Sequence, residues 1–278
     1  MTSESCFPLA LALLTSCAGT GEISMSVWGE DYIVHEIPAV TATAPGFENG
    51  WTLRYTRFLV NVGAVTVETS QGASAGGLTG HRVMDLHTIT APAVLGSIAR
   101  VAAQRWDRVS YEVVPAGADS TAGNATPGDV QRMQSNGYSV YVEADAIHPV
   151  RGTVALRWGF TSATRYESCH DASGQPGLVV PTGGTGDLQV TIHGDHLFYD
   201  DLQSPDAKLR LDAIVAADRD ADRTVTLEEL GAVDLTALPT GQYGTGSAPN
   251  IHSLGDFVTA LVSTVGHFDG EGHCTERR

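Results

Sequence analysis

The sequence predicts a mainly β protein, a β-sandwich body followed by a small helical segment at its C-terminal end. Three observations carry that expectation. Apolar and polar residues alternate at period two in successive runs between residues 22 and 192, as half-buried strands require because neighbouring side chains point to opposite faces. Loops rich in Gly, Ser, Thr and Pro divide those runs, which suits a sandwich better than a parallel sheet. Beyond residue 204 the apolar spacing changes to that of helices.

With 278 residues, 42% hydrophobic and 17% charged, the chain holds enough apolar material for a sizeable core. Lys plus Arg number 16 against 32 Asp plus Glu, a net charge of −16. That balance repels nucleic acid, which is excluded as a partner, and attracts divalent cations.

Residues 1–16 read as an export signal. Phe7-Pro8-Leu9-Ala10-Leu11-Ala12-Leu13-Leu14 is an apolar run too short to span a bilayer, and it leads into Leu14-Thr15-Ser16-Cys17. That tetrapeptide resembles the lipobox of bacterial envelope lipoproteins. The resemblance implies cleavage before Cys17, lipidation of its thiol and a membrane anchor in which each buried methylene contributes roughly 0.8 kcal/mol. Ala18 stands where an inner-membrane retention signal would place Asp, so the resemblance implies the outer membrane rather than the inner. A plain secretory signal with an incidental Cys17 is the alternative. Glu4 is the one charged residue lost with the signal, so the mature charge is −15.

The body is expected over 17–200. Ile23, Met25 and Val27 alternate with polar neighbours, as do Trp51, Leu53 and Tyr55. The apolar parity then shifts to Phe58, Val60 and Val62, which predicts a bulge or bend near Arg57. Further strands are expected at Val109–Val113, Val140–Ala144, Val154–Phe160 and Leu188–Ile192. The run from Val101 to Tyr111 resembles the approach to a late strand in immunoglobulin-like or transthyretin-like domains of envelope lipoproteins, which implies an immunoglobulin-like sandwich. The body carries no Gly-x-Ser-x-Gly, Gly-x-x-x-x-Gly-Lys or His-Glu-x-x-His. Once Cys6 and Cys17 are set aside, Cys169 and Cys274 remain as a disulfide pair for an oxidising compartment; two metal-ligating thiolates are the alternative.

The helical segment is expected over 201–278. Ser204 is a good N-cap, Pro205 suits the first helical position, and Leu211, Ile214 and Val215 share a face. Asp218-Arg219-Asp220-Ala221-Asp222-Arg223-Thr224-Val225-Thr226-Leu227-Glu228-Glu229 then spaces its oxygens at positions 1, 3, 5, 7, 9 and 12. Ca²⁺ wants six to eight oxygen ligands, and this twelve-residue loop resembles an EF-hand. The resemblance implies Asp218, Asp220, Asp222, Thr224, Thr226 and Glu229 as calcium ligands. Arg223 occupies the position normally given to Gly, at a cost on the order of 1–2 kcal/mol that weakens binding. A solvated acidic turn is the alternative. Leu230 and Val233 continue the exit helix, and a last helix starts at Ser253 with Leu254, Phe257, Val258, Leu261, Val262 and Val265 as core and Gly266 as stop.

Six of the ten histidines fall at 170 or later. His193, His196, His267 and His273 could supply a Cu or Zn site, in a layout loosely similar to copper-binding envelope proteins. His193 and His196 converge only if the strand ends at His193 and turns through Gly194 and Asp195; histidines merely satisfied at a strand end are the alternative. The first functional expectation is therefore a non-catalytic, lipid-anchored calcium-binding protein. The second is a periplasmic transition-metal binder, and the third a hydrolase with paired carboxylates. The sequence assigns no protein partner.

Overall fold

A computed structural model describes residues 19–278; the expected export signal, Cys6 and Cys17 lie outside the described residues. The alternating runs become strands β1 (Thr20–Gly29), β2 (Thr52–Glu68), β3 (Ser74–Gly77), β4 (His81–Asp85), β5 (Ala93–Ala102), β6 (Arg105–Trp106), β7 (Arg108–Val113) and β8 (Thr121–Ala122). They continue as β9 (Val140–His148), β10 (Gly152–Phe160), β11 (Thr164–His170), β12 (Leu178–Val179), β13 (Thr185–Ile192), β14 (Thr224–Thr226), β15 (Gly266–Phe268) and β16 (His273–Arg277). Helices are short: α1 (Asp31–Val34), α2 (Pro127–Asn136), α3 (Asp212–Val215), α4 (Leu227–Gly231) and α5 (Leu254–Leu261).

One sheet runs β15-β13-β1-β5, with β1 and β13 parallel. A larger one runs β14-β10-β9-β2-β7-β11-β16, with β3 and β4 also on β2, and β12 pairs with β6. The long β2 serves β9, β4 and β7 in turn. Its register on β9 slips between Tyr55 and Arg57, where the parity shift predicts a bulge, and slips again on β7 after Gly63. Extra residues of this kind sharpen local twist, so the large sheet curls. Both sheets feed one core that includes Ile23, Val27, Tyr55, Trp158, Leu188 and Phe257. Phe198 sits at its centre, against Phe47 at 5.2 Å and Trp158 at 5.7 Å between ring centroids.

The C-terminal stretch departs from the expected helical segment. The residues from Ser204 to Arg210 form turns and extended chain, and helix starts only at Asp212. Leu209 bridges to Phe47 and Tyr199, Arg210 N–H donates to the Phe198 carbonyl at 3.0 Å, and Glu48 N–H donates to the Leu209 carbonyl at 3.0 Å. Long-range pairing that buries Leu209 and Leu211 outweighs the local cap at Ser204. Residues 201–278 do not stand apart from the body: β14 joins β10, β15 joins β13 and β16 joins β11. The last helix starts as expected, with Ser253 and Asp256 forming a capping box, and Leu254, Phe257, Val258 and Leu261 are buried.

Cys169 in β11 and Cys274 in β16 form a disulfide across a sequence separation of 105. Replacing both by Ser should lower the unfolding free energy by about 2–5 kcal/mol, because a long loop regains its freedom in the unfolded chain. Urea unfolding of the oxidised protein against the double variant measures this.

Candidate metal centre

β1 and β13 end side by side, with Gly29 opposite Ile192, so Glu30 and His193 leave the sheet together. Glu30 N–H donates to the Ile192 carbonyl at 3.1 Å. The strand ends at Ile192, and the chain turns through His193 and Gly194 into a 3-10 turn over Asp195–Phe198. That turn is held from both sides. Glu30 Oε1 accepts the Gly194 and Asp195 N–H groups at 2.9 and 3.3 Å, while the buried Tyr55 hydroxyl donates to the Gly194 carbonyl at 2.6 Å. A Cβ at Gly194 would meet Ile33 at 2.7 Å and Tyr55 at 2.9 Å, so only Gly fits.

The turn brings His193 and His196 together, and the β15–β16 hairpin adds His267 and His273. Ring centroids lie 5.2 Å apart for His193 and His196, 4.1 Å for His193 and His267, and 4.9 Å for His196 and His267. One nitrogen from each of these three rings lies within 4.8 Å of the others. His273 is exposed, with its ring 4.9 Å from that of His267, and His170 lies further out, 6.1 Å from His273.

The hydrogen bonds assign the tautomers. His193 Nε2 faces the Gly270 carbonyl at 3.3 Å, which only accepts, so Nε2 carries the proton and Nδ1 the lone pair. Thr264 Oγ1 donates to the Leu261 carbonyl, so it accepts from His196 Nδ1 at 3.1 Å and leaves the His196 lone pair on Nε2. His267 Nδ1 is buried without a partner. Burial, reinforced by His193 and His196, drives His267 down to about 2, and burial also lowers His196. Both rings are neutral near pH 7, the form that ligates metals.

Two carboxylates missing from the sequence-based candidates complete the surroundings. Glu30 Oε2 lies 3.6 Å from His193 Nδ1. Asp195 Oδ2 accepts the Tyr199 hydroxyl at 3.0 Å, and its buried Oδ1 has no partner. Burial, then the charge of Asp195, raises Glu30 to about 9. Solvent reaches the group through a cleft of about 280 Å³ lined by Trp28, Glu30, Asp31, His193 and Glu271. A second cleft, about 380 Å³, opens on His196, Tyr199 and His273.

The acidic loop forms a separate group. Asp218, Asp220 and Glu229 each place an oxygen within 4.8 Å of the others, and Asp218 Oδ1 is buried without a partner. Asp222 instead accepts the Thr224 N–H at 2.7 Å, and Thr226 with Glu229 caps α4. Arg223 does adopt positive φ, at 66°, and donates its N–H to Asp218 Oδ2 at 3.1 Å. Its guanidinium reaches the Thr153 carbonyl at 2.9 Å and that of Arg151 at 3.2 Å, bonds that offset the strain and that Gly would forgo. Val225 is buried and pairs with Leu156 of β10, which fixes the loop to the large sheet.

No protein-family model matches the chain, and no curated protein or solved structure is significantly similar to it.

In the metal-free protein Glu30 and His267 give stability opposite pH dependences. Folded Glu30 keeps until about pH 9 a proton that the unfolded chain releases at about 4.5, so stability falls as pH rises between those values. The unfolded His267 ring takes up a proton below 6.5 that the folded ring refuses until about 2, so stability is lost as pH falls below 6.5. Of the two, Glu30 alone acts above 6.5. Urea unfolding should therefore show stability declining from pH 6.5 to 9, with a ceiling of about 1.4 kcal/mol per pH unit, and Glu30→Gln should flatten that slope.

Proposed function

We propose that this chain is a metal-binding protein of the cell envelope that holds a transition metal, Zn or Cu, through His193, His196 and His267, with the exposed His273 at the rim. The observation that carries this reading is the convergence of three imidazole nitrogens within 4.8 Å, two of them on rings turned by hydrogen bonds that leave a lone pair free. Ligating histidines are oriented in this way, by an acceptor on the other ring nitrogen. The surrounding body is, on this reading, an immunoglobulin-like sandwich. A lipid on Cys17 would tether it closely, since β1 begins at Thr20.

A second cation position is favoured by a different observation. Asp218 Oδ1 is buried and unpaired beside Asp220 and Glu229, and the Arg223 N–H bond to Asp218 closes the loop as an EF-hand does. Ca²⁺ here would brace the connection to β14.

Protein purified without a histidine tag and dialysed should retain Zn or Cu by elemental analysis, and His196→Ala with His267→Ala should abolish retention. Thr264→Val, which removes the acceptor that orients His196, should weaken affinity about 10–100-fold without removing a ligand. Calorimetric titration should give a Ca²⁺ Kd of about 10⁻⁴ to 10⁻³ M that Asp218→Ala eliminates.

A further inference from the structure

The trihistidine group leaves one cluster unexplained. Glu30, His193 and Asp195 each place a ligand atom within 4.8 Å of the others, and His193 belongs to both groups. Its Nε2 is committed to the Gly270 carbonyl, so a single lone pair, on Nδ1, serves both. One lone pair binds one cation. We propose that the two groups address a single divalent ion at His193 Nδ1, with His196 and His267 as nitrogen ligands on one side and Glu30 Oε2 and Asp195 Oδ1 as oxygen ligands on the other.

This assignment rests on reading the trihistidine group as a metal position, and extends it to the kind of metal. Glu30 Oε2 lies 3.6 Å from His193 Nδ1, close to the separation of roughly 3.6 Å expected between two equatorial ligands each about 2.1 Å from a five-coordinate ion. Glu30 Oε1 is occupied by two backbone N–H groups, which turns Oε2 toward the ring. Asp195, only 9% exposed, is anchored through Oδ2 by Tyr199 and has Oδ1 free. Among the described residues neither carboxylate forms an ion pair with Lys or Arg, so a buried acidic pair lacks a counter-charge from the protein. Two carboxylate oxygens with three imidazoles suit Zn²⁺, Co²⁺, Mn²⁺ or Fe²⁺, whereas soft Cu⁺ gains nothing from hard oxygens.

The test uses the mature, untagged protein stripped with chelator and reloaded in about 10 mM Ca²⁺, enough to fill an acidic loop with the Kd expected above. Wild type should bind one Zn²⁺. The double variant Glu30→Gln and Asp195→Asn, close in volume to wild type, should lose more than about 100-fold in Zn²⁺ affinity while Cu⁺ affinity, read by competition with a chromogenic chelator, stays within about threefold. The Co²⁺ spectrum of wild type is an independent readout that requires no variant. Weak bands of a five-coordinate ion support the proposal, and intense tetrahedral bands overturn it. Unchanged Zn²⁺ affinity in the carboxylate variant, with loss in His196→Ala and His267→Ala, overturns the carboxylate ligands but keeps the trihistidine site. Two Zn²⁺ per chain overturns the single-ion assignment. No binding to wild type overturns both.

Discussion

The parallel pairing of β1 with β13 is the constraint on which the rest of the site depends. Residues 164 apart in sequence, Glu30 and Gly194, meet because the two strands run the same way and stop together. A parallel ladder releases both chains at one end, so a carboxylate and an imidazole emerge as neighbours without any local motif. Tyr55, from the other sheet, then closes the turn after β13 through the Gly194 carbonyl. Phe198, three residues beyond Asp195, drives the same turn into the common core. The positions of His193 and His196 are thus set by the packing of one sheet on the other, and a rigid scaffold of that kind is what a preorganised ligand set requires.

Part of the acidity now has a place. Several buried or half-buried carboxylates pair with arginine, as Asp200 does with Arg210 and Glu143 with Arg132. Glu30 and Asp195 lack such a partner and are nonetheless desolvated, which in a low-dielectric interior is costly unless a proton or a cation intervenes. A shared proton and a bound metal ion are alternative solutions to one electrostatic problem. The lone pairs on the neighbouring neutral imidazoles add to what a metal ion could use there, which is why the proposed site draws on both groups.

How much of this the sequence discloses depends on whether the cause is local. The strands at Ile23, Leu53, Val109, Val142, Leu156 and Val190 are legible because alternation is a property of neighbours, and the bulge near Arg57 is legible for the same reason. The helix from Ser253 has both a cap and an apolar stripe. Helix α2 carried the cap signals too, with Thr126, Pro127, Asp129 and a left-handed Gly137, but Met133 is its one buried apolar side chain, so no stripe announces it. Ser204 misleads in the opposite way, since its cap signal is overruled by the pairing of Leu209 with Phe47. At the site, the histidines are conspicuous by residue type. Glu30 is invisible, because nothing near Gly29 tells which strand lies beside β1.

The β15–β16 hairpin shows why the proposed metal centre and the fold would not be independent. His267 sits in β15 on the smaller sheet, and His273 begins β16 on the larger one, so the hairpin spans both. Its turn carries Asp269 and Gly270 at positive φ, and the Gly270 carbonyl and N–H bond respectively to His193 and Thr191. The Cys169–Cys274 disulfide ties β16 to β11 immediately after His273. A metal bound to His193 and His267 would therefore cross-link β13 to β15 close to that covalent tie, since the His267 ring lies 4.9 Å from that of His273. Binding free energy at such a site is also folding free energy. The two links would act on the same hairpin, one covalent and one through the imidazoles, so neither contribution would be separable from the docking of the C-terminal strands.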